Sequence, residues 1–403
     1  MNLKSVGIIT SGGDCGGLNA VIKGAARMAL SYGIDAYVIP NGYAGLYNLS
    51  ESGNIIRLDI TKIEGIASLA AGSEAGNSRV KIAKIADADK YHKIKAGLEK
   101  FGIGALIISG GDDTGNVVVD LNNNGIPCIH IPKTMDLDLQ TYSVGGDSTV
   151  NRIAQYIRDV KTTGNSHNRI MIVEVFGRYA GHTAFKGGIA ADADCILIPE
   201  VPLDFEVIYE DVKQKFMKRV GASEYKSGTY TLVVTEGIHD ISGESIHDAS
   251  VSIDSFGHKK LGGTGKYVRE HLAARLKQDD EMKQFMKEQG LFVDKMNEVP
   301  EIRETVPGYL ARSGNTSALD ANFGKSTGAG AVVLLVNGIF GVTVTGVVDG
   351  RIEYIPTNVA IEQRYVSEAM IAFYEKMGIC FGRRPSEYHP KFDSREKAAW
   401  CYG

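Results

Sequence analysis

Ala105-Leu106-Ile107-Ile108-Ser109-Gly110-Gly111-Asp112-Asp113-Thr114 carries the reading of this chain. An apolar run ends in a glycine pair, two carboxylates follow, and Val117-Val118-Val119 resume the apolar pattern. Such a sequence describes a buried strand, a tight turn and a helix start. A turn of this kind points backbone N–H groups and the positive end of a helix dipole outward, which suits a phosphate. Asp112 alone reads equally as a helix cap, but Asp112 and Asp113 together over-supply one. Magnesium is held by one or two carboxylates plus phosphate oxygens, so Asp112 is the candidate metal ligand. Asp113 would then repel any further anionic group on the ligand. The loop invites a phosphate and limits what hangs from it, which points to phosphoryl transfer with an unusual donor.

The same grammar recurs outward from that stretch. Val6-Gly7-Ile8-Ile9 leads into Thr10-Ser11-Gly12-Gly13-Asp14, after which Leu18, Val21, Ile22, Ala25 and Ala29 keep helical spacing up to Gly33 as a stop. The segment 126–131 leads into Pro132-Lys133-Thr134-Met135-Asp136, and Val150, Ile153, Ala154 and Ile157 predict a helix capped by Asp147 or Ser148. The run 170–175 leads into Phe176-Gly177-Arg178, Leu232-Val233-Val234 leads into Thr235-Glu236, and 331–336 reads as one more buried strand. Alternation of this kind predicts an α/β fold with doubly wound, mainly parallel sheets. Ligands of such sheets bind at the carboxyl ends of the strands, so these polar loops are expected to converge on one cleft. Between Glu236 and Arg303 the pattern is less regular. It predicts a helix over 264–276 with Val268, Leu272 and Leu276 on one face, and a charged helical surface over 279–289. Gly-Gly-Asp at 12–14, 110–112 and 145–147 reads as three similar turns rather than a repeat.

Composition narrows the classes. At 403 residues the chain should hold two domains, or one large domain with insertions. A net charge of −4 argues against nucleic acid as a partner. No run of 18 apolar residues and no apolar leader occur, so a cytoplasmic protein without membrane contact is expected. Five scattered cysteines (Cys15, Cys128, Cys195, Cys380, Cys401) form neither a disulfide scaffold nor a zinc pattern, and only Cys15, in a glycine loop, invites a reactive reading. Gly324-Lys325-Ser326 resembles the end of a P-loop, but Leu319 stands where that motif needs glycine. No Gly-x-Gly-x-x-Gly opens the first helix, which disfavours a dinucleotide dehydrogenase.

Gly12-Gly13 and Gly110-Gly111, each after a strand, together favour a phosphate site over two structural turns. Asp136 and Asp138 face the same way if their segment is extended. Phosphoryl transfer to an alcohol wants a carboxylate to accept the hydroxyl proton and a cation to neutralise the moving group; Asp136 and Lys133 supply that pair. Arg79, Arg169, Arg178, Arg303 and Arg312 are candidate anion clamps, against the plainer alternative of solvated surface charges.

These blocks, with Gly17-Leu18-Asn19-Ala20 and 303–314, resemble the phosphofructokinases, and more closely their diphosphate-dependent branch; they run in family order from residue 6 to about 336. The resemblance implies two doubly wound domains with the active site between them. One, 1–141 with about 312–358, would bind the donor; the other, 142–311 with about 359–403 and an insert at about 237–300, would bind the sugar phosphate. It implies that Gly12, Gly13, Arg79, Gly111, Asp113, Thr114 and Lys133 meet the donor, that Asp112 holds Mg2+, and that Asp136 is the base, with Thr134, Asp138 and Arg178 beside it. Phe176, Gly177, Arg178 and Glu236 would contact fructose 6-phosphate, while Arg169, Tyr309, Arg303 and Arg312 approach its 6-phosphate. Residues matching Arg169 and Arg303 come from a neighbouring subunit in this family, which implies a homodimer or homotetramer. ATP-using relatives have Gly at the positions of Asp113 and Lys133; bulk and like charge at Asp113 oppose the α-phosphate of ATP, and Lys133 suits the end of a short donor. Tyr309, where many ATP-using members have His, and Phe176, where they have Met, are departures. The insert, with Asp254-Ser255-Phe256-Gly257-His258 and Leu261-Gly262-Gly263, is similar to the diphosphate branch. The alternatives are an ATP-dependent phosphofructokinase, an NAD or lipid kinase, and a non-catalytic subunit that senses sugar phosphates.

Overall fold

The computed structural model describes residues 3–243, 246 and 262–394. The segment 254–258 and Leu261 of the insert, and Cys401, lie outside the described residues. Among the described residues eleven strands follow in chain order: β1 (Ser5–Thr10), β2 (Asp35–Val38), β3 (Ile56–Arg57), β4 (Ala105–Gly110), β5 (Cys128–Pro132), β6 (Ile170–Val175), β7 (Cys195–Leu197), β8 (Tyr230–Thr235), β9 (Ile302–Thr305), β10 (Val342–Val348) and β11 (Arg351–Pro356). They form two sheets, of order β11-β10-β5-β4-β1-β2-β3 and β7-β8-β6-β9. The smaller is parallel throughout; the larger is parallel except at its edge pairs β2–β3 and β10–β11. The fold is α/β with mainly parallel sheets.

Central strands are apolar on both faces because helices cover both. Ile8 and Ile107 pack into one core of the larger sheet, while Ile9, Leu106 and Ile108 pack into the other. In the smaller sheet Ile172 and Leu232 face one core, Val173 and Val233 its opposite. The first helix, Leu18–Ser31, turns its apolar side onto the sheet, and Gly33, at φ 69°, ends that turn of chain. The irregular stretch yields the two predicted helices, Thr264–Lys277 with Val268, Leu272 and Leu276 buried, and Asp280–Glu288, whose cap Asp279 accepts from the Met282 N–H.

Two local expectations fail. Residues 331–336 are not a strand but the end of the helix Ala318–Val336. That helix packs along the first helix and on β10 and β5, so it is buried on several sides and reads as a continuous apolar run. A buried helix segment and a buried strand are then indistinguishable by periodicity. The P-loop-like glycine inside it serves packing: a Cβ on Gly324 would lie 2.9 Å from the Gly17 carbonyl oxygen. The second failure is the cap of helix Gly146–His167, which is neither Asp147 nor Ser148. Gly145 holds the cap position in the left-handed conformation, at φ 98°. The carboxylate of Asp320, from the Ala318–Val336 helix, accepts from Gly145 N (2.9 Å), Ser148 N (2.7 Å) and Tyr142 OH (2.7 Å).

Candidate functional site

Parallel pairing aligns the strand ends that carry the polar loops. Thr10 pairs with Ser109 and Gly110 with Pro132, so the loops after β1, β4 and β5 leave the larger sheet side by side. Val175 pairs with Thr235, which brings Phe176-Gly177-Arg178 beside Glu236 at the end of the smaller sheet. One cleft is lined from both sheets: Gly12, Gly13, Arg79, Gly111, Asp112, Asp113, Thr114, Lys133, Thr134, Asp136, Asp138, Arg178 and Arg312 all face it.

Gly111 caps the helix Asp112–Asn123, and both aspartates occupy its first turn, where the helix dipole favours negative charge. Asp113 pairs with Lys81 at 2.7 Å across the cleft wall. Burial, then the charges of Asp113 and Asp138, push the Asp112 carboxyl above the ordinary carboxylate range. A hard oxygen donor set beside other carboxylates fits magnesium. Among the described residues no three His, Cys, Asp or Glu groups are placed to hold a metal ion together.

The 133–138 segment is not extended. Leu137 sits at φ 57°, a left-handed conformation uncommon for leucine. Its carbonyl accepts from Arg364 at 2.6 Å, and Arg364 and Gln363 also engage Asp138, through N–H to carbonyl (2.7 Å) and Nε2 to Oδ2 (2.9 Å). Asp136 and Asp138 therefore both reach the cleft through a turn clamped from 363–364, rather than through strand alternation. The Asp136 N–H donates to Thr134 Oγ1 at 3.1 Å. Burial, followed by the charge of Asp138, raises Asp136 to about 6. Burial and the charge of Asp136 raise Glu236 to about 7. Lys133 is buried and donates to the Gly13 carbonyl, tying its loop to the glycine pair; burial holds its ammonium below the ordinary lysine range. Gly12, at φ 81°, gives its N–H to the Ser78 carbonyl at 3.2 Å. Cys15 is no nucleophile: it is fully buried, and burial pushes its thiol up to about 12.

Arg312 lies over the Phe176 ring, 4.9 Å from its centroid, and donates to the Asp14 carbonyl at 3.1 Å. Tyr309 is exposed on the same rim, 6.3 Å from Phe176 between ring centroids. Gly177 approaches β8 so closely that a Cβ would come 2.7 Å from Thr235 Cγ2.

Residues 5–335 match the family described as Phosphofructokinase. The chain belongs to the phosphofructokinase family. It is 33% identical over 381 residues to a pyrophosphate–fructose 6-phosphate 1-phosphotransferase of Streptomyces coelicolor, covering 94% of this chain and 99% of that one. It is 34% identical over 352 residues to ATP-dependent 6-phosphofructokinase 2 of Clostridium perfringens, covering 84% and 87%. A crystal structure of pyrophosphate-dependent phosphofructokinase from Marinobacter aquaeolei shares the fold, with a TM-score of 0.68 at 21% identity over 97% of this chain and 94% of that one.

Two family arginines stay outside this phosphofructokinase's own cleft. Arg169 precedes β6 and Arg303 lies on β9, where Ile170 pairs with Ile302, so both sit toward the amino end of the smaller sheet. Both engage Glu301, Arg169 through Nε at 2.5 Å. Burial opposes ionisation of Glu301, yet the hydrogen bonds from the two arginines outweigh it and hold the carboxyl below the usual range. Sequence reasoning misses Lys81, Gln363 and Arg364. Lys81 follows Arg79 by two residues in a loop already marked; nothing local links 363–364 to a turn more than 200 positions away. Among the described residues no helix is long and apolar enough to cross a membrane.

Proposed function

We propose that the chain catalyses magnesium-dependent, reversible phosphoryl transfer from diphosphate to the 1-hydroxyl of fructose 6-phosphate, giving fructose 1,6-bisphosphate and phosphate, in glycolysis and gluconeogenesis. The observation that carries this reading is Asp113 on the cleft wall, beside the glycine pair that would meet the donor. A carboxylate there opposes a third anionic phosphate, and Lys133 beside Gly12 supplies positive charge to a short donor.

Asp136 would take the proton from the sugar 1-hydroxyl, whose oxygen forms the new bond to phosphorus as the bridging P–O bond of diphosphate breaks. The departing phosphate keeps the electron pair of that bond. Arg79, Lys133 and Arg178 would neutralise the charge that develops around the moving group. Magnesium, held by Asp112 and donor oxygens, supplies further charge neutralisation when bound. Asp136 would give the proton back in the reverse direction. Glu236, Gly177 and Arg178 would orient the sugar and Arg312 would meet its 6-phosphate, completed by Arg169 and Arg303 of a second subunit in a homodimer or homotetramer.

A second reading is an ATP-dependent 6-phosphofructokinase. It is favoured by the Clostridium perfringens relative's name and by Lys81, whose ammonium offsets the Asp113 charge. Turnover of the purified protein with diphosphate and with ATP, each with and without magnesium, decides between them. Diphosphate is expected to be the better donor; faster turnover with ATP would reverse the assignment.

A further inference from the structure

Asn77 is an anomaly beside the cleft. Its Nδ2 and Oδ1 are both buried, and neither has a hydrogen-bond partner among the described residues. Buried side-chain amides are nearly always satisfied, since each carries two donors and an acceptor. Relaxation of the backbone cannot readily rescue this one, because the chain is tied down on both sides. Gly76 N donates to Ser73 O at 3.1 Å, Asn41 N to Ala75 O at 2.9 Å and Gly12 N to Ser78 O at 3.2 Å. Thr10 Oγ1 donates to Gly76 O at 3.1 Å, and Ala44 N to Ser78 Oγ at 3.1 Å. The backbone around Asn77 is therefore fixed, and rotation of its side chain toward the recess is what would give the amide a partner.

Asn77 lines a side recess together with Gly12, Gly13, Asp14, Ser73, Ser78 and Arg79. Gly12, Gly13 and Arg79 also line the main cleft, so one ligand can touch both spaces. The recess wall has no aromatic or aliphatic side chain on which a nucleobase would stack, and its polar groups suit a hydrated oxyanion. Asp14 is the one carboxylate among its lining residues and Arg79 the one cation. An amide offers what a partly protonated phosphate needs: Nδ2–H for its anionic oxygens, and Oδ1 for the P–OH hydrogen.

We propose that this recess receives the departing phosphate of the donor and that the Asn77 side-chain amide binds it. The inference rests on the diphosphate reading for the identity of that donor. Calorimetric titration of the full-length protein with inorganic phosphate tests it directly, on the parent, Asn77→Ala and Asn77→Asp. Asn77→Asp keeps the size but replaces N–H donors by negative charge. It should weaken phosphate roughly tenfold or more, and Asn77→Ala roughly threefold to tenfold. KM for inorganic phosphate in the reverse reaction should rise in parallel, with KM for fructose 1,6-bisphosphate within about twofold of the parent. Phosphate affinity unchanged in a folded Asn77→Ala protein overturns the proposal, as does an equal rise in both KM values, which a merely structural role would produce. Should the parent prefer ATP, the diphosphate reading falls, while the phosphate titration still tests Asn77 independently of it. Weaker ATP binding with unaltered phosphate binding would hand the recess to a nucleotide and also sink the proposal.

Discussion

Asp136 is the group whose environment sets a measurable pH signature. Burial and the neighbouring Asp138 raise its carboxyl to about 6. Under the proposed mechanism forward transfer uses the carboxylate, so kcat/KM should fall as pH drops through that value. Reverse transfer uses the carboxylic acid, so its rate should fall as pH rises through the same value. Opposite limbs in the two directions are the expected result; profiles flat between about pH 5 and 7 in both would remove Asp136 from the role. Asp136→Ala should lower turnover by about 10²- to 10⁴-fold while leaving fructose 6-phosphate binding nearly intact. Donor choice is argued at Asp113 and Lys133. Replacing both with Gly should weaken diphosphate use and improve ATP use, as read by the ratio of kcat/KM for the two donors. Lys81 bears on the outcome, because its charge is no longer offset by the Asp113 carboxylate and would favour a longer phosphate chain. An unmoved ratio would mean that these side chains do not select the donor.

Packing of one helix on another explains why glycine stands at position 24. A Cβ on Gly24 would overlap the Lys325 backbone, whereas one on Gly65, also helical, would meet nothing. Gly24→Ala should cost about 2–3 kcal/mol in a denaturant titration. Gly65→Ala should be neutral or stabilising by about 0.5–1 kcal/mol. Equal effects would show that close helix contact is not what demands Gly24. The Asp320 carboxylate joins the Ala318–Val336 helix to the start of Gly146–His167. Asp320→Ala would strand buried donors at Tyr142, Gly145 and Ser148, and should destabilise by about 3–5 kcal/mol. Strand ends are legible because glycine and polar residues punctuate short apolar runs. The cap at Gly145 is not, since its partner Asp320 lies 175 positions away. The 331–336 run reads as a strand because burial on several sides blurs its periodicity.

Arg169 and Arg303 meet Glu301 at the end of the smaller sheet remote from the loops that line the cleft, so under the proposed function, in which both grip the 6-phosphate, they would act in a second copy's site. Complementation examines this. Asp136→Ala homo-oligomers should be nearly inactive, and Arg303→Ala homo-oligomers nearly so when assayed at fructose 6-phosphate far below their raised KM. Mixed after dissociation and reassembled, they should regain roughly a quarter of parental activity as a dimer, because half the assemblies are mixed and carry one intact site of two. No recovery from a verified mixed oligomer would place both residues in one subunit's site. Arg303→Ala should act through KM for fructose 6-phosphate more than through kcat.

Sequence alone determined the α/β class, the polar loops at strand ends and the family, because those depend on short-range grammar: apolar runs, glycine turns and carboxylates at fixed spacing. Tertiary structure decided which loops meet. Parallel register set Thr10 beside Ser109 and Gly110 beside Pro132, and Val175 beside Thr235, and so gathered Asp112, Lys133, Asp136 and Arg178 around one space. It alone revealed Lys81 against Asp113, the 363–364 clamp on the 136–138 turn and the unpaired amide of Asn77. Each depends on packing between distant segments, and burial, which shifts carboxyl groups and exposes an unmet hydrogen bond, has no local signature in a chain.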